Sequence, residues 1–151
     1  MIEISPMVIS LREQFYIPAD DERFRVVCGD GANYVADTRA SPEVLLVDGF
    51  DLDGQPPQLC SQQFYNDCYR ALAPDGLLVV NLCGHGDEIL LDRIRRSFYR
   101  RVVVVIPRVD GENRVVFALK GERFCMDEKM VNELAKRVGE KHQVHSPLVR
   151  A

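Results

Sequence analysis

Three short apolar runs in the first third of the chain each close on a carboxylate: Met1-Ile2-Glu3, Phe24-Arg25-Val26-Val27-Cys28-Gly29-Asp30 and Val44-Leu45-Leu46-Val47-Asp48. Runs with little polar alternation are what strands of a parallel sheet look like when helices cover both faces. In an open sheet of that kind, residues at the carboxyl ends of the strands converge on one crevice, where ligands bind. The acids therefore predict a single site at one end of a parallel sheet.

The segments between these runs carry helix signals. Ser5-Pro6 joins an N-cap to a proline at the first helical position, and Val8, Ile9, Leu11, Arg12, Phe15 and Tyr16 continue an amphipathic helix that Pro18 stops. Residues 25–28 form a short strand. Asp30-Gly31 then opens a short helix carrying Tyr34 and Val35 before the Ser41-Pro42 break. Residues 44–47 read as a fully buried strand, and residues 49–58, with two glycines and Pro56-Pro57, as a loop long enough to fold over a site. A helix over 61–73 places Phe64, Cys68 and Leu72 on one face, and Pro74-Asp75-Gly76 turns it into a strand over 77–82.

After Gly84-His85-Gly86, a further helix directs Ile89, Leu90, Ile94 and Phe98 inward and Arg93, Arg96 and Arg100 outward. The apolar runs 102–106 and 115–119 are too close in sequence for a parallel crossover, so they pair antiparallel. A final helix over 127–138, capped by Gly139, precedes a polar tail. Alternating strands and helices that end in an antiparallel pair predict an α/β chain with a doubly wound, mostly parallel sheet and a C-terminal antiparallel strand. Residues 1–121 make up this domain, and 122–151 are a C-terminal helix and polar tail packed on or extending from it.

The length of 151 residues suits one domain with a real core, and the 46% hydrophobic and 28% charged content is ordinary for a soluble protein. With no apolar stretch near twenty residues and no signal-like start, a cytoplasmic location and no membrane contact are expected. The net charge of −4 argues against nucleic acid and suits a cationic small substrate. Cys28, Cys60, Cys68, Cys83 and Cys125 are odd in number and form no CxxC pair, so neither disulfides nor a metal site is indicated. They read as free thiols, buried or half-buried.

Glu3, at a strand end, can accept two hydrogen bonds from a ribose diol, or it can be a solvated surface acid. Asp30 can accept from an exocyclic amine while Gly31 allows close backbone approach; it can equally cap the next helix, and one residue can serve both ends. Asp48 and Asp51, three residues apart at the mouth of the crevice, can hold and deprotonate a cationic amine. An alkyl ammonium with a pKa of about 10 has no free lone pair, so it must lose a proton before it attacks carbon. For an aspartate to do this, burial or its like-charged neighbour has to raise its pKa. The alternative is a loop-capping Asp48 and a solvated Asp51. His85 reads as an exposed loop residue, His142 and His145 as solvated tail residues, and Arg93, Arg95, Arg96, Arg100 and Arg101 as a solvated charge run. Tyr65 and Tyr69 read as packing residues.

The ordered set Glu3-Ile4-Ser5, Asp30-Gly31 with Tyr34-Val35, Val44-Leu45-Leu46-Val47-Asp48-Gly49-Phe50-Asp51, Phe64-Tyr65 and Leu72-Ala73-Pro74-Asp75-Gly76-Leu77-Leu78-Val79 resembles the spermidine synthase family over about residues 2–120. The resemblance implies a Rossmann-like, class I methyltransferase-like fold and transfer of an aminopropyl group from decarboxylated S-adenosylmethionine to an amine. It implies that Glu3 binds the ribose of that co-substrate or of the methylthioadenosine product, that Asp30 and Gly31 contact adenine, that Asp48 is the base and that Asp51 holds the substrate's charge. No tightly bound cofactor is implied. The partners are a small-molecule amine and a nucleoside.

The chain departs from the family pattern at three places. The amino-terminal β-domain, first Rossmann strand and glycine-rich loop are missing from it; Asn81 stands where a glutamine is usual; and Ile106-Pro107-Arg108-Val109 replaces an aromatic that packs on the polyamine. In the family fold the first strand lies between the strands ending at Glu3 and Asp48. Those strands then either pair directly, are covered by another chain in a homo-oligomer, or belong to a longer protein. Two other readings are a methyltransferase-like domain that binds the nucleoside but acts on another substrate, and a non-catalytic fragment or assembly domain.

Overall fold

A computed structural model of the chain describes residues 1–52, 54–83, 87–105 and 113–121. Their elements, in order, are β1 (Ile2–Glu3), α1 (Pro6–Ser10), β2 (Val27–Cys28), α2 (Gly31–Asp37), β3 (Val44–Val47), α3 (Pro57–Cys60), α4 (Gln62–Ala71), β4 (Gly76–Cys83), α5 (Asp87–Ser97), β5 (Val102–Val105) and β6 (Asn113–Lys120). β1 and β2 form a parallel two-stranded sheet, and a second sheet has the order β3-β4-β6-β5. In the larger sheet β3 is parallel to β4, while β6 runs antiparallel to both β4 and β5. The antiparallel ending expected from the short 107–114 connection is present, with β6 inserted between β4 and β5. No helix among the described residues is long and apolar enough to cross a membrane.

Period-two burial along β4 locates the core. Leu78, Val80 and Leu82 are buried, as are Val116 and Ala118 on β6, and Leu45, Val102 and Val104 pack at the margin. Phe64, Tyr65, Cys68 and Leu72, from α4 and its end, join this cluster, as do Leu91, Ile94 and Phe98, from α5 and its end. α4 starts where Ser61 Oγ accepts from the Phe64 amide at 3.0 Å, a serine N-cap. It ends under Lys120, whose Nζ donates to the Leu72 carbonyl at 2.6 Å and lies 5.3 Å from the Tyr69 ring centroid. A cation at a helix carboxyl end satisfies orphan carbonyls and complements the dipole. A polar seam joins α4 to α5: Gln62 Nε2 donates to Ser97 Oγ at 2.8 Å, and Ser97 Oγ to Asn66 Oδ1 at 2.7 Å.

Several local expectations are corrected. α1 ends at Ser10, and residues 11–16 continue as turns, with Phe15 69% and Tyr16 93% exposed. Most helical stability comes from packing an apolar face, and this face is largely exposed. Arg12 Nη1 instead donates to Asp20 Oδ1 at 2.9 Å; that hydrogen bond, helped by the Val26 amide, holds the Asp20 carboxyl below its ordinary value. β3 has the expected residues but is not fully buried, since Val44 is 52% and Leu46 71% exposed against a buried Val47.

On α5 Ile94 and Phe98 point inward as expected and Leu90 packs at the margin of the core, but Ile89, Leu91 and Arg93 differ. Leu91, Ile94 and Phe98 face the core, Ile89 is 60% exposed, and Arg93 turns inward to donate to the Cys60 carbonyl at 2.6 Å. Of the described thiols, Cys68 is buried and Cys60 partly so, but Cys28 and Cys83 are exposed. Tyr65 and Tyr69 pack as expected, Tyr69 edge-on against Phe98 and Tyr99. His85, Arg108, Cys125, His142, His145 and the C-terminal helix over 127–138 lie outside the described residues.

Candidate active site

Because β1 and β2 are parallel and in register at Glu3↔Cys28, their carboxyl ends coincide. The Gly29 amide extends the ladder to the Glu3 carbonyl at 3.0 Å, which places Asp30 just beyond the same end. Glu3 folds back onto the start of α1, where its Oε1 accepts from the Ser5 amide at 2.8 Å. Asp30 is the N-cap of α2: Oδ1 accepts from the Ala32 amide at 2.7 Å and the Asn33 amide at 3.3 Å. The capping role is thus realised, and it uses one carboxylate oxygen.

Asp48 occupies the equivalent place in the other sheet. Val47 is in register with Val80, so Asp48 follows β3 beside Asn81 of β4, and Asn81 Nδ2 donates to Asp48 Oδ1 at 3.1 Å. Asp48 is exposed. Asp51 sits in a tight turn, its amide donating to the Gly54 carbonyl at 2.8 Å, and Gly54 adopts φ +117°, where a side chain would be strained. The turn holds Asp51 near Cys60, whose thiol is pushed up by burial first and by the Asp51 charge last, against the opposing Arg93 guanidinium.

The segment after Gly49 is therefore more ordered than the expected loop. It contains this turn and then the single turn of α3, started by Pro57. α3 brings the two acid-bearing regions together through Leu59. A Cβ on Gly31 would lie 3.9 Å from Leu59 Cδ2, and one on Gly49 only 2.7 Å from Leu59 Cδ1. A side chain at Gly49 would have to push the end of Leu59 aside, and the Asp30-Gly31 and Asp48-Gly49 corners flank this one leucine side chain. Sequence reasoning missed Leu59 because its role depends on contacts with two distant glycines. It also placed Arg93 among solvated residues, since a charged residue on a helix gives no local sign of a carbonyl partner. Among the described residues no cluster of His, Cys, Asp and Glu is placed to hold a metal ion.

The architecture defines a Rossmann-like fold of the class I methyltransferase type. Human Methyltransferase-like protein 13, solved with SAH, is similar with a TM-score of 0.77 at 20% identity, over 96% of this chain and 71% of that one. A spermidine synthase solved with the transition-state analogue AdoDATO gives a TM-score of 0.66 at 23% identity, over 93% of this chain and 59% of that one. The sequence narrows the class. Residues 1–90 match the spermine/spermidine synthase domain, and the polyamine aminopropyltransferase of Neisseria meningitidis serogroup A is 32% identical over 139 residues, 90% of this chain. The chain belongs to the spermine/spermidine synthase family. It spans about half the length of that relative, 51%.

Within this fold β1 and β3 belong to separate sheets, so the strands ending at Glu3 and Asp48 are not paired with each other. Of the three ways to close the expected gap, direct pairing is not the one adopted.

Proposed function

We propose that this chain carries the aminopropyl-transfer site of a spermidine synthase-like enzyme, moving the aminopropyl group of decarboxylated S-adenosylmethionine to an amine. The observation that carries the reading is the placement of Asp30-Gly31 and Asp48-Gly49 on either side of Leu59, with Glu3 one ladder step from Asp30. A nucleoside end and an amine end would thereby share one crevice. Glu3 would take the ribose hydroxyls, and Asp30, through the oxygen not engaged in capping, would take the adenine amine beside Gly31. Asp48 would accept a proton from the ammonium, freeing the nitrogen lone pair, while Asp51 holds the substrate's remaining charge. The nitrogen then forms a bond to the carbon next to the sulfonium as the carbon–sulfur bond breaks. Sulfur keeps that electron pair and leaves as neutral methylthioadenosine, so catalysis rests on positioning and proton acceptance.

The nucleoside is a co-substrate in this scheme, and no tightly bound cofactor is invoked. Four free cysteines among the described residues support a reducing, cytoplasmic setting. Self-association belongs to the same proposal and is supported by exposed Val44 and Leu46 on β3.

The test is calorimetric titration with methylthioadenosine, followed by an aminopropyl-transfer assay. Glu3→Ala is expected to weaken nucleoside binding roughly tenfold, the worth of hydrogen bonds to a charged group. Asp48→Asn is expected to keep nucleoside binding and lower transfer by about 10²- to 10⁴-fold. A folded chain that binds no methylthioadenosine, or an Asp48→Asn variant that still transfers at full rate, would overturn the assignment.

A further inference from the structure

Asn81 is the only polar residue in the run Leu77-Leu78-Val79-Val80-Asn81-Leu82, within an eight-residue strand that pairs on both sides. Asparagine is depleted in strands because it packs poorly on a pleated, half-buried surface. The ladder needs only its backbone, which is in register with Val115 of β6. Its side chain instead reaches sideways to Asp48, donating from Nδ2 to Oδ1 at 3.1 Å. The two residues are 33 positions apart and meet because Val47↔Val80 is the last pair of the parallel β3–β4 ladder.

The two ends of this hydrogen bond differ in rigidity. Asn81 is anchored within β4 by its pairing with Val115 of β6, whereas Asp48 stands just past the end of β3, exposed and followed by Gly49. A carboxylate in that position would otherwise sample several rotamers. A hydrogen bond to an ionised oxygen from a fixed donor selects one of them.

We infer that Asn81 is a positioning residue: it locks the Asp48 carboxylate through Oδ1 and leaves Oδ2 as the oxygen that meets the amine. The inference rests on the base role proposed for Asp48 and adds the group that orients it. Reactions in which a proton acceptor must meet a bound nitrogen within hydrogen-bonding distance gain from such fixing of geometry.

Two measurements on the full chain test this. In amide-resolved NMR the Asn81 side-chain protons are expected to carry the downfield shift of donors to an ionised oxygen, and to lose it in Asp48→Asn. In calorimetry with 1,4-diaminobutane in the presence of methylthioadenosine, Asn81→Ala is expected to weaken diamine binding about fivefold, and to have no further effect in the Asp48→Asn background. Asn81→Ser, which keeps a donor, is expected to restore part of the loss and also serves if Asn81→Ala does not fold. If Asp48→Asn binds the diamine as the unmodified chain does, or if that chain binds none, the base assignment falls and this inference with it. If Asp48→Asn weakens binding but Asn81→Ala does not, only the positioning role is overturned. Loss of binding by Asn81→Ala that adds fully to that of Asp48→Asn would mean a merely structural effect, and would also overturn it.

Discussion

The β3-β4-β6-β5 sheet with α4 and α5 and the β1-β2 sheet with α1 are both rich in apolar residues, yet only the first makes a core. In the larger sheet Leu78, Val80, Leu82, Val116 and Ala118 are fully buried beneath Tyr65, Cys68, Ile94 and Phe98. Across residues 1–34 no residue is buried, and Met7, Val8, Phe15 and Tyr16 are all exposed. The difference is not hydrophobicity but opposition. A strand or helix gains from an apolar face only where a second element closes over it. β1 and β2 are two residues each, and an isolated two-stranded ribbon is marginal in water. The nucleoside half of the proposed site therefore stands on the weaker region and the amine half on the stronger.

The contrast can be broken most directly at its centre. Phe98→Ala empties a fully buried aromatic position and is expected to cost about 3–5 kcal/mol, whereas Phe15→Ala is expected to stay within about 0.5 kcal/mol. Urea unfolding of the two variants, followed by circular dichroism, measures both. Equal losses would mean that residues 1–34 belong to the same cooperative core.

The next largest effect is on the thiols. Burial, followed by the Asp67 charge, pushes the Cys68 thiol from its ordinary value of 9.0 up to about 12. An unfolded chain releases this proton near 9.0 and the folded chain only at about 12, so between those values the unfolded state binds fewer protons. The stability contribution is then complete below pH 9.0 and is lost as pH rises through that window. Iodoacetamide at pH 8 is expected to label exposed Cys28 and Cys83 and to spare Cys68 until the protein unfolds. Early labelling of Cys68 would show that the α4 interface opens readily.

A smaller effect separates the two serine caps. Ser61→Ala removes the bond that starts α4 and is expected to cost about 1 kcal/mol of global stability. Ser5→Ala removes the equivalent bond, at 3.3 Å, from the five-residue α1. Its effect is expected to appear as faster hydrogen exchange in the first ten residues, with little change in the unfolding midpoint.

Legibility in the sequence follows the same division. The order of the strands and of α1, α2, α4 and α5, the antiparallel ending, the Ser5 cap and the Asp30 cap could be read from the spacing and chemistry of nearby residues. The extent of α1, the exposure of Ile89 and inward turn of Arg93 on α5, and the exposure of Val44 and Leu46 could not, because they depend on what lies opposite. The acids at strand ends were legible as a pattern. Leu59 between Gly31 and Gly49, and Asn81 beside Asp48, were not, since the members of each contact are separated by many residues.

The sequence by itself determined the family, the alternation of elements and the positions of Glu3, Asp30, Asp48 and Asp51 at or just beyond strand ends. The family follows from the ordered set of motifs it resembles, and the rest from local propensity, capping and the period of apolar residues. The tertiary structure alone decided that β1 and β3 lie in separate sheets, that Asp48 is exposed and held by Asn81, and that Leu59 joins the two corners of the site. Those features are set by register and packing between segments far apart in the chain, where no local pattern carries the information.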